Sequence, residues 1–254
     1  MTVKELYRKL NELIPHELSC EWDNDGDMCI PAPNTEVDTV LISLDPSKKA
    51  IKAAKAVGAQ VIITHHPLIF RPIKRLSSDP CADKLTELVK SNISLFSFHT
   101  RLDALDGGVN DTLAEMIGLQ NVKKFGPENE KMGRIGELES PLSAPEFAAR
   151  VRDILDAPSV SLCDCGKQIR RVALLGGDGG DFLDDAIEAG ADIYLTGSIG
   201  YNKHNEARER GISILAAGHY YTEAPICGKL AKMLREIDPE INTVTFSSNE
   251  IQDI

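Results

Sequence analysis

Apolar positions along this 254-residue chain follow two alternating rhythms. Short unbroken runs rich in β-branched residues, such as Val61-Ile62-Ile63-Thr64, predict strands buried on both faces. Between them the apolar residues recur at helical spacing. Thr2-x-x-Glu5 reads as a capping box, opening an amphipathic helix that ends before Pro15. The pattern then predicts a strand over 37–44, a helix over 46–57, a strand over 60–64, a helix over 79–91, a strand over 93–98 and a helix over 109–117. The second half gives a helix over 144–155, a strand over 172–175, a helix over 181–189, a strand over 192–196, a helix over 202–210 and a strand over 212–216. A single long helix over 223–237 and a strand over 242–246 close the chain. Trp22–Asp27 reads as a turn. Strands alternating with helices imply an α/β protein built on mainly parallel sheets. The polar, turn-rich Gly126-Pro127-Glu128-Asn129-Glu130 suggests a break, dividing the chain into 1–125 plus 220–254 and 126–219.

A repeat crosses that break. Ala53–Thr64 matches Asp184–Thr196 once one gap is allowed: in both, a helix ends at Gly-Ala and a short strand ends at Thr. The next strand in each half begins Ile-Ser (Ile93-Ser94, Ile212-Ser213) and leads to a histidine with a carboxylate four residues later. The copies differ where it matters most. Thr64 is followed by His65-His66, Thr196 by Gly197-Ser198. One composite site fed by both halves follows more naturally than two.

The strand ends carry the candidate chemistry. Four of the six histidines (His65, His66, His99 and His219) follow apolar runs directly, and Asp103 and Glu223 stand four residues beyond His99 and His219. Adjacent imidazoles where a buried strand runs out are hard to explain as packing and easy to explain as metal ligands. Pro67 fixes the exit from that strand. His99 can act as a ligand, as the orienter of Asp103 or as a proton donor. His65, His66, Asp103, His219 and Glu223 make a nitrogen–oxygen donor set larger than one tetrahedral ion needs. It suits two divalent ions, with Zn, Mn, Fe, Co and Ni all compatible. Such a pair implies hydrolysis, with a metal-bridged hydroxide as nucleophile and His99 as proton shuttle. Gly176-Gly177-Asp178-Gly179-Gly180 matches no nucleotide fingerprint and reads as a tight strand-to-helix connection in preference to a phosphate cradle. Asp106–Asp111 likewise reads first as a capping turn, and only second as an anion-holding helix start.

Composition narrows the class. A formal charge of −11, with basic residues no denser than pairs such as Lys48-Lys49, argues against nucleic acid as a main partner. No run is long and apolar enough for a membrane span, and Met1–Leu6 is no signal peptide. Six cysteines without disulfide spacing fit a reduced, cytoplasmic protein, and Cys163-Asp164-Cys165 reads as a pair of thiols.

Several blocks together resemble the dinuclear-metal YbgI-like family, also called GTP cyclohydrolase 1 type 2 homologues. They are Trp22-Asp23-Asn24-x-Gly26, Thr64-His65-His66-Pro67-Leu68-x-Phe70, His99-Thr100-x-x-Asp103 with Gly108-Val109-Asn110-Asp111, Gly190-Ala191-Asp192 with Thr196-Gly197, and Gly218-His219-Tyr220-x-Thr222-Glu223. The resemblance spans essentially the whole chain. It implies two similar intertwined three-layer α/β/α domains with a metal site between them, a metal pair held by His65, His66, Asp103, His219 and Glu223, and a ring-shaped homohexamer. Two positions depart from the family pattern: Ser198 stands where an acidic residue is usual, and Asp178 where serine is. The reading is therefore a metal-dependent hydrolase acting on a small molecule. The competing readings are a phosphoesterase or amidohydrolase on another substrate, and a non-catalytic metal-binding scaffold or metal-trafficking protein.

Overall fold

The computed structural model describes residues 1–77 and 79–251; the end of the expected 220–254 segment lies outside them. Its contacts divide the chain into two units, Met1–Leu102 with Cys227–Glu250, and Asp103–Ile226 with Ile251. The seams fall at 102/103 and 226/227, not near 125 and 219 as the turn pattern suggested. The reason is local: the strand Gln120–Phe125 pairs with Gly133–Ser143, and Leu113, Ala114 and Ile117 pack into the second core, so the polar turn at 126–130 lies inside the second unit.

The first unit runs α1 (Val3–Leu13), β1 (Gly26–Cys29), β2 (Thr39–Ser43), α2 (Lys48–Ala56), β3 (Val61–Thr64), α3 (Pro80–Lys90) and β4 (Ser94–Ser97); α4 (Thr100–Ala104) crosses the seam. The second contains α5 (Val109–Ile117), β5 (Gln120–Phe125), β6 (Gly133–Ser143), α6 (Ala144–Ile154), β7 (Ser161–Cys163), β8 (Gln168–Asp178), α7 (Leu183–Glu188), β9 (Ile193–Ser198), α8 (Tyr201–Glu209), β10 (Ser213–Ala216) and α9 (His219–Glu223). The chain then returns to the first unit with α10 (Ile226–Ile237) and β11 (Asn242–Phe246). The helix expected over 223–237 is thus two helices. Pro225 lacks an N–H to continue α9 and clashes with the preceding turn, so the helix stops and restarts.

The first sheet has strand order β1-β4-β3-β2-β11, parallel except where β1 runs against β4. Leu41, Ile62 and Leu95 on one face pack with Ala50, Ile51 and Ala54 of α2 and Leu88 of α3. The alternate residues Val40, Ile42, Val61, Ile63 and Phe96 are also fully buried. Tyr7 of α1 lies 4.8 Å, ring to ring, from Phe96, so helices cover both faces. That explains why these strands are apolar throughout, without alternation.

The second sheet, ordered β5-β6-β8-β9-β10-β7, is mixed, not mainly parallel. Its centre β8-β9-β10 is parallel, while β5, β6 and β7 pair antiparallel. β1, β5, β6 and β7 were absent from the sequence pattern. The burial of β5 shows why: five exposed residues precede Phe125, so no apolar rhythm marks an edge strand.

The repeat is real at the level of backbone bonds. α2 and α7 each end in a glycine with positive φ (Gly58 +66°, Gly190 +75°), and the next N–H bonds five residues back, Ala59 to Ala54 and Ala191 to Ala186. Gln60 Oε1 accepts the N–H groups of Asp38 and Thr39, and Asp192 Oδ2 accepts those of Arg170 and Arg171. Ser94 N–H to Gln60 matches Ser213 N–H to Asp192, and Phe98 N–H to Thr64 matches Ala217 N–H to Thr196. The frame also corrects the alignment of the histidines. Phe98 is equivalent to Ala217, so His99 corresponds to Gly218, and His219 stands one residue further on. Among the described residues no helix is long and apolar enough to cross a membrane.

Candidate metal centre

In the first unit three imidazoles converge. β3 ends at Thr64, whose hydroxyl donates to the His66 carbonyl at 2.8 Å and curls the chain just past the strand. Successive side chains on a straight strand would point to opposite faces; the turn frees His65 and His66 from that alternation. His65, fully buried, and His66 have ring centroids 5.1 Å apart, and the His99 ring, delivered by the end of β4, lies 5.3 and 5.8 Å from them. One ring nitrogen from each lies within 4.8 Å of the others, a spacing that could hold a metal ion.

The partners of these rings decide which nitrogen that is. His65 Nδ1 faces the Phe98 carbonyl at 2.9 Å, His66 Nδ1 faces Asp45 Oδ1 at 2.7 Å, and His99 Nδ1 faces Asp23 Oδ1 at 2.9 Å. A carbonyl oxygen only accepts, so Nδ1 of His65 carries the proton; a carboxylate imposes the same tautomer on the other two. In each neutral ring the lone pair then sits on Nε2. Imidazoles oriented through Nδ1–H by a carboxylate or carbonyl are how proteins present histidine to a metal. The donor set fits a divalent ion.

A loop missed as a functional element holds this end of β4. Burial works to raise the pKa of Asp23, but hydrogen bonds from His99 and Thr100 more than offset it and hold the carboxyl down to about 2. Its Oδ2 accepts both the N–H and the hydroxyl of Thr100, at 3.0 and 2.6 Å. Asp25 Oδ2 accepts the His99 N–H at 3.2 Å and Arg101 Nε at 3.0 Å, and both members of that ion pair have fully buried side chains. Arg101 Nη1 donates to Asn11 Oδ1 and the Ile14 carbonyl, and its guanidinium lies 4.6 Å over the Phe98 ring. The only sequence signal was two carboxylates beside the single tryptophan. Trp22 and Phe70, about half exposed, stand 6.3 and 6.4 Å from the His99 ring.

The second unit presents a different arrangement. His219 Nε2 and Glu223 Oε2 are 3.1 Å apart, as i and i+4 on the single turn of α9, with Glu223 buried and His219 half-exposed. Glycines make room for them. A Cβ on Gly177, whose φ is +70°, would overlap Glu223 Oε1. One on Gly176 would stand 3.2 Å from Glu223 Cγ, and one on Gly197 would meet the Gly177 carbonyl at 2.6 Å and His219 Cα at 2.7 Å. Thr222 Oγ1 accepts the Gly177 N–H at 3.1 Å and fastens α9 to this floor. Gly176 and Gly177, at the end of β8, and Gly197 are therefore a close-packing surface.

Asp103 is buried on α4, and its carbonyl accepts from Asn110 Nδ2 at 3.3 Å. The Asp106–Asp111 turn is closed by its own residues. Asp111 accepts the Gly107 N–H at 2.7 Å and is gripped by Arg134, Nε to Oδ1 at 2.6 Å and Nη2 to Oδ2 at 3.0 Å. Burial would raise the Asp111 pKa, and Arg134 brings it below the ordinary carboxylate range. Asp178 and Ser198, the two departures from the resembled pattern, are register partners on β8 and β9.

These features define an α/β protein of two units with His/Glu groups suited to a metal ion. The chain belongs to the Duf34/NIF3 (NGG1p interacting factor 3) family, whose sequence model matches residues 1–253. It is 30% identical over 260 residues to a GTP cyclohydrolase 1 type 2 homolog of Clostridium perfringens, covering 100% of this chain and 98% of the relative. Among solved structures it is similar to Staphylococcus aureus protein SA1388, with TM-score 0.91 and 21% identity, covering 100% of this chain and 99% of that one, a likeness of fold. It is similar also to protein ybgI, of unknown function, with TM-score 0.88 and 25% identity over 98% and 99% of the two chains.

Proposed function

We propose that the chain is a metal-dependent hydrolase of the GTP cyclohydrolase 1 type 2 homologue type, with His65, His66, Asp103, His219 and Glu223 as the ligands of two divalent ions. The observation that carries this reading is the His65–His66 pair, each ring fixed through Nδ1 by an oxygen acceptor. Such ions supply Lewis acidity and make water acidic enough to attack at neutral pH. The chain's own contribution to proton transfer falls to His99. With Nδ1–H donated to Asp23, it takes up and returns a proton at Nε2, and the ionised Asp23 stabilises the charged ring. Trp22 and Phe70 stand beside the His99 ring. The family resemblance extends the proposal to a cytoplasmic homohexamer acting on a small molecule.

The deciding experiment is metal content per chain, on protein purified without chelators or nickel resin. Wild type is expected to carry near two equivalents and His65→Ala/His66→Ala to lose them while keeping its circular dichroism spectrum. Loss of metal with turnover of GTP, phosphoesters and cyclic amides tested in parallel supports the hydrolase. A wild type that neither carries metal nor takes up Zn, Mn or Fe removes the metal reading altogether. Metal bound without turnover of any of them favours the scaffold or trafficking reading.

A further inference from the structure

Among the described residues Asn110 is the one fully buried carboxamide, and nothing in the chemistry above uses it. Its two ends do opposite things. Oδ1 accepts the Gly176 N–H at 2.8 Å, and Nδ2 donates to the Asp103 carbonyl at 3.3 Å. Both bonds are buried, and both partners belong to the second unit, as Asn110 does. Gly176 is the floor beneath Glu223: a Cβ there would stand 3.2 Å from Glu223 Cγ and 3.3 Å from Val109 Cγ1. One side chain therefore fastens the backbone of Asp103 at one end and the backbone under Glu223 at the other.

We propose that Asn110 is a positioning residue that sets the two carboxylates Asp103 and Glu223 relative to each other for divalent-metal binding. The inference rests on the ligand set proposed above. The position demands an amide in particular. Leucine or alanine would leave a buried N–H and a buried carbonyl without their partner, and aspartate could accept from Gly176 but not donate to Asp103. A one-ended replacement still leaves one carboxylate element unheld, and groups that orient ligands typically govern metal affinity by roughly ten- to a hundred-fold.

The test is a titration of the metal-stripped full-length chain with Co2+, read by isothermal calorimetry and by the visible d–d bands, which report ligand geometry. Asn110→Ala is expected to bind Co2+ at least about tenfold more weakly than wild type, with shifted bands. Asn110→Asp, which keeps the acceptor for Gly176, serves if the alanine variant does not fold, with the same expectation. Val151→Ala, a fully buried α6 residue of the second core, is the stability control: a lower Tm with unchanged affinity and bands. If the Asn110 variants match Val151→Ala, with lower Tm and wild-type bands, Asn110 is a structural staple and the proposal falls alone. If the wild type itself takes up no Co2+, the metal reading falls and this inference with it.

Discussion

The same backbone frame ends in two opposite constructions. In the first unit the chain leaving β4 is held by charge: Asp23 and Asp25 grip His99, Thr100 and Arg101 through side chains that are themselves buried. In the second unit the chain leaving β10 is held by absence of side chains: Gly176, Gly177 and Gly197 let α9 settle directly onto the strand ends. The two ends also present different groups, three imidazoles in the first unit and Glu223 beside His219 in the second. An imidazole has a lone pair whose direction depends on its tautomer, so it needs an acceptor at Nδ1. A carboxylate on a one-turn helix has no such requirement, and its place is fixed by how closely the backbone approaches. A repeated frame thus preserved the path of the chain and left the ends open to divergent chemistry.

The charged construction offers the largest effect. Asp25→Asn leaves the Arg101 guanidinium buried without its counter-charge, and breaking a buried pair from one side costs about 3–5 kcal/mol. Urea unfolding should show that loss. A change under about 1 kcal/mol, the range of a solvated pair, would mean water replaces the carboxylate and the polar latch is not the element it resembles.

The glycine construction breaks by crowding. In Gly197→Ala the new methyl meets a carbonyl oxygen, Thr222 Oγ1 and His219 Cα at 2.6–2.7 Å, so backbone must move, at about 1–3 kcal/mol. Gly58→Ala is the comparison: its Cβ would meet nothing within 4 Å, and only the left-handed φ of +66° resists, at about 1 kcal/mol. Thermal melts should rank the two in that order, with Co2+ uptake altered only by the change at Gly197. Equal melting temperatures, with uptake unchanged in both, would strip the glycine floor of its role.

The central strands, the helices α1–α3 and α5–α8 and the histidine pair were legible because burial writes itself as apolar runs and helical spacing. β1, β5 and β7 were not, since edge strands lie half in water and carry no such rhythm. β6 was hidden by its exposed stretch Glu139-Ser140-Pro141. The latch was invisible for a different reason: Asp23 and Asp25 are some 76 residues from the groups they hold, and a pairing that distant leaves no local trace in sequence. The split of the last helix has a local cause, Pro225, which the helical spacing over 223–237 masked.

The smallest effect tests the frame that both ends share. Gln60 and Asp192 each accept two consecutive backbone N–H groups at the start of the neighbouring strand, one as a neutral amide and one as a carboxylate. Replacing either with alanine removes two bonds at exposed or partly buried positions that water can reach, so about 1 kcal/mol is expected for Gln60→Ala. Asp192→Ala should cost somewhat more, because a charged acceptor makes the stronger bonds. Hydrogen exchange separates this from general loosening. Protection should fall at Asp38 and Thr39 in one variant, at Arg170 and Arg171 in the other, and nowhere else. If both variants lose protection across their whole sheet, the two side chains hold up entire units, and the frame is less a shared backbone path than a pair of separate keystones.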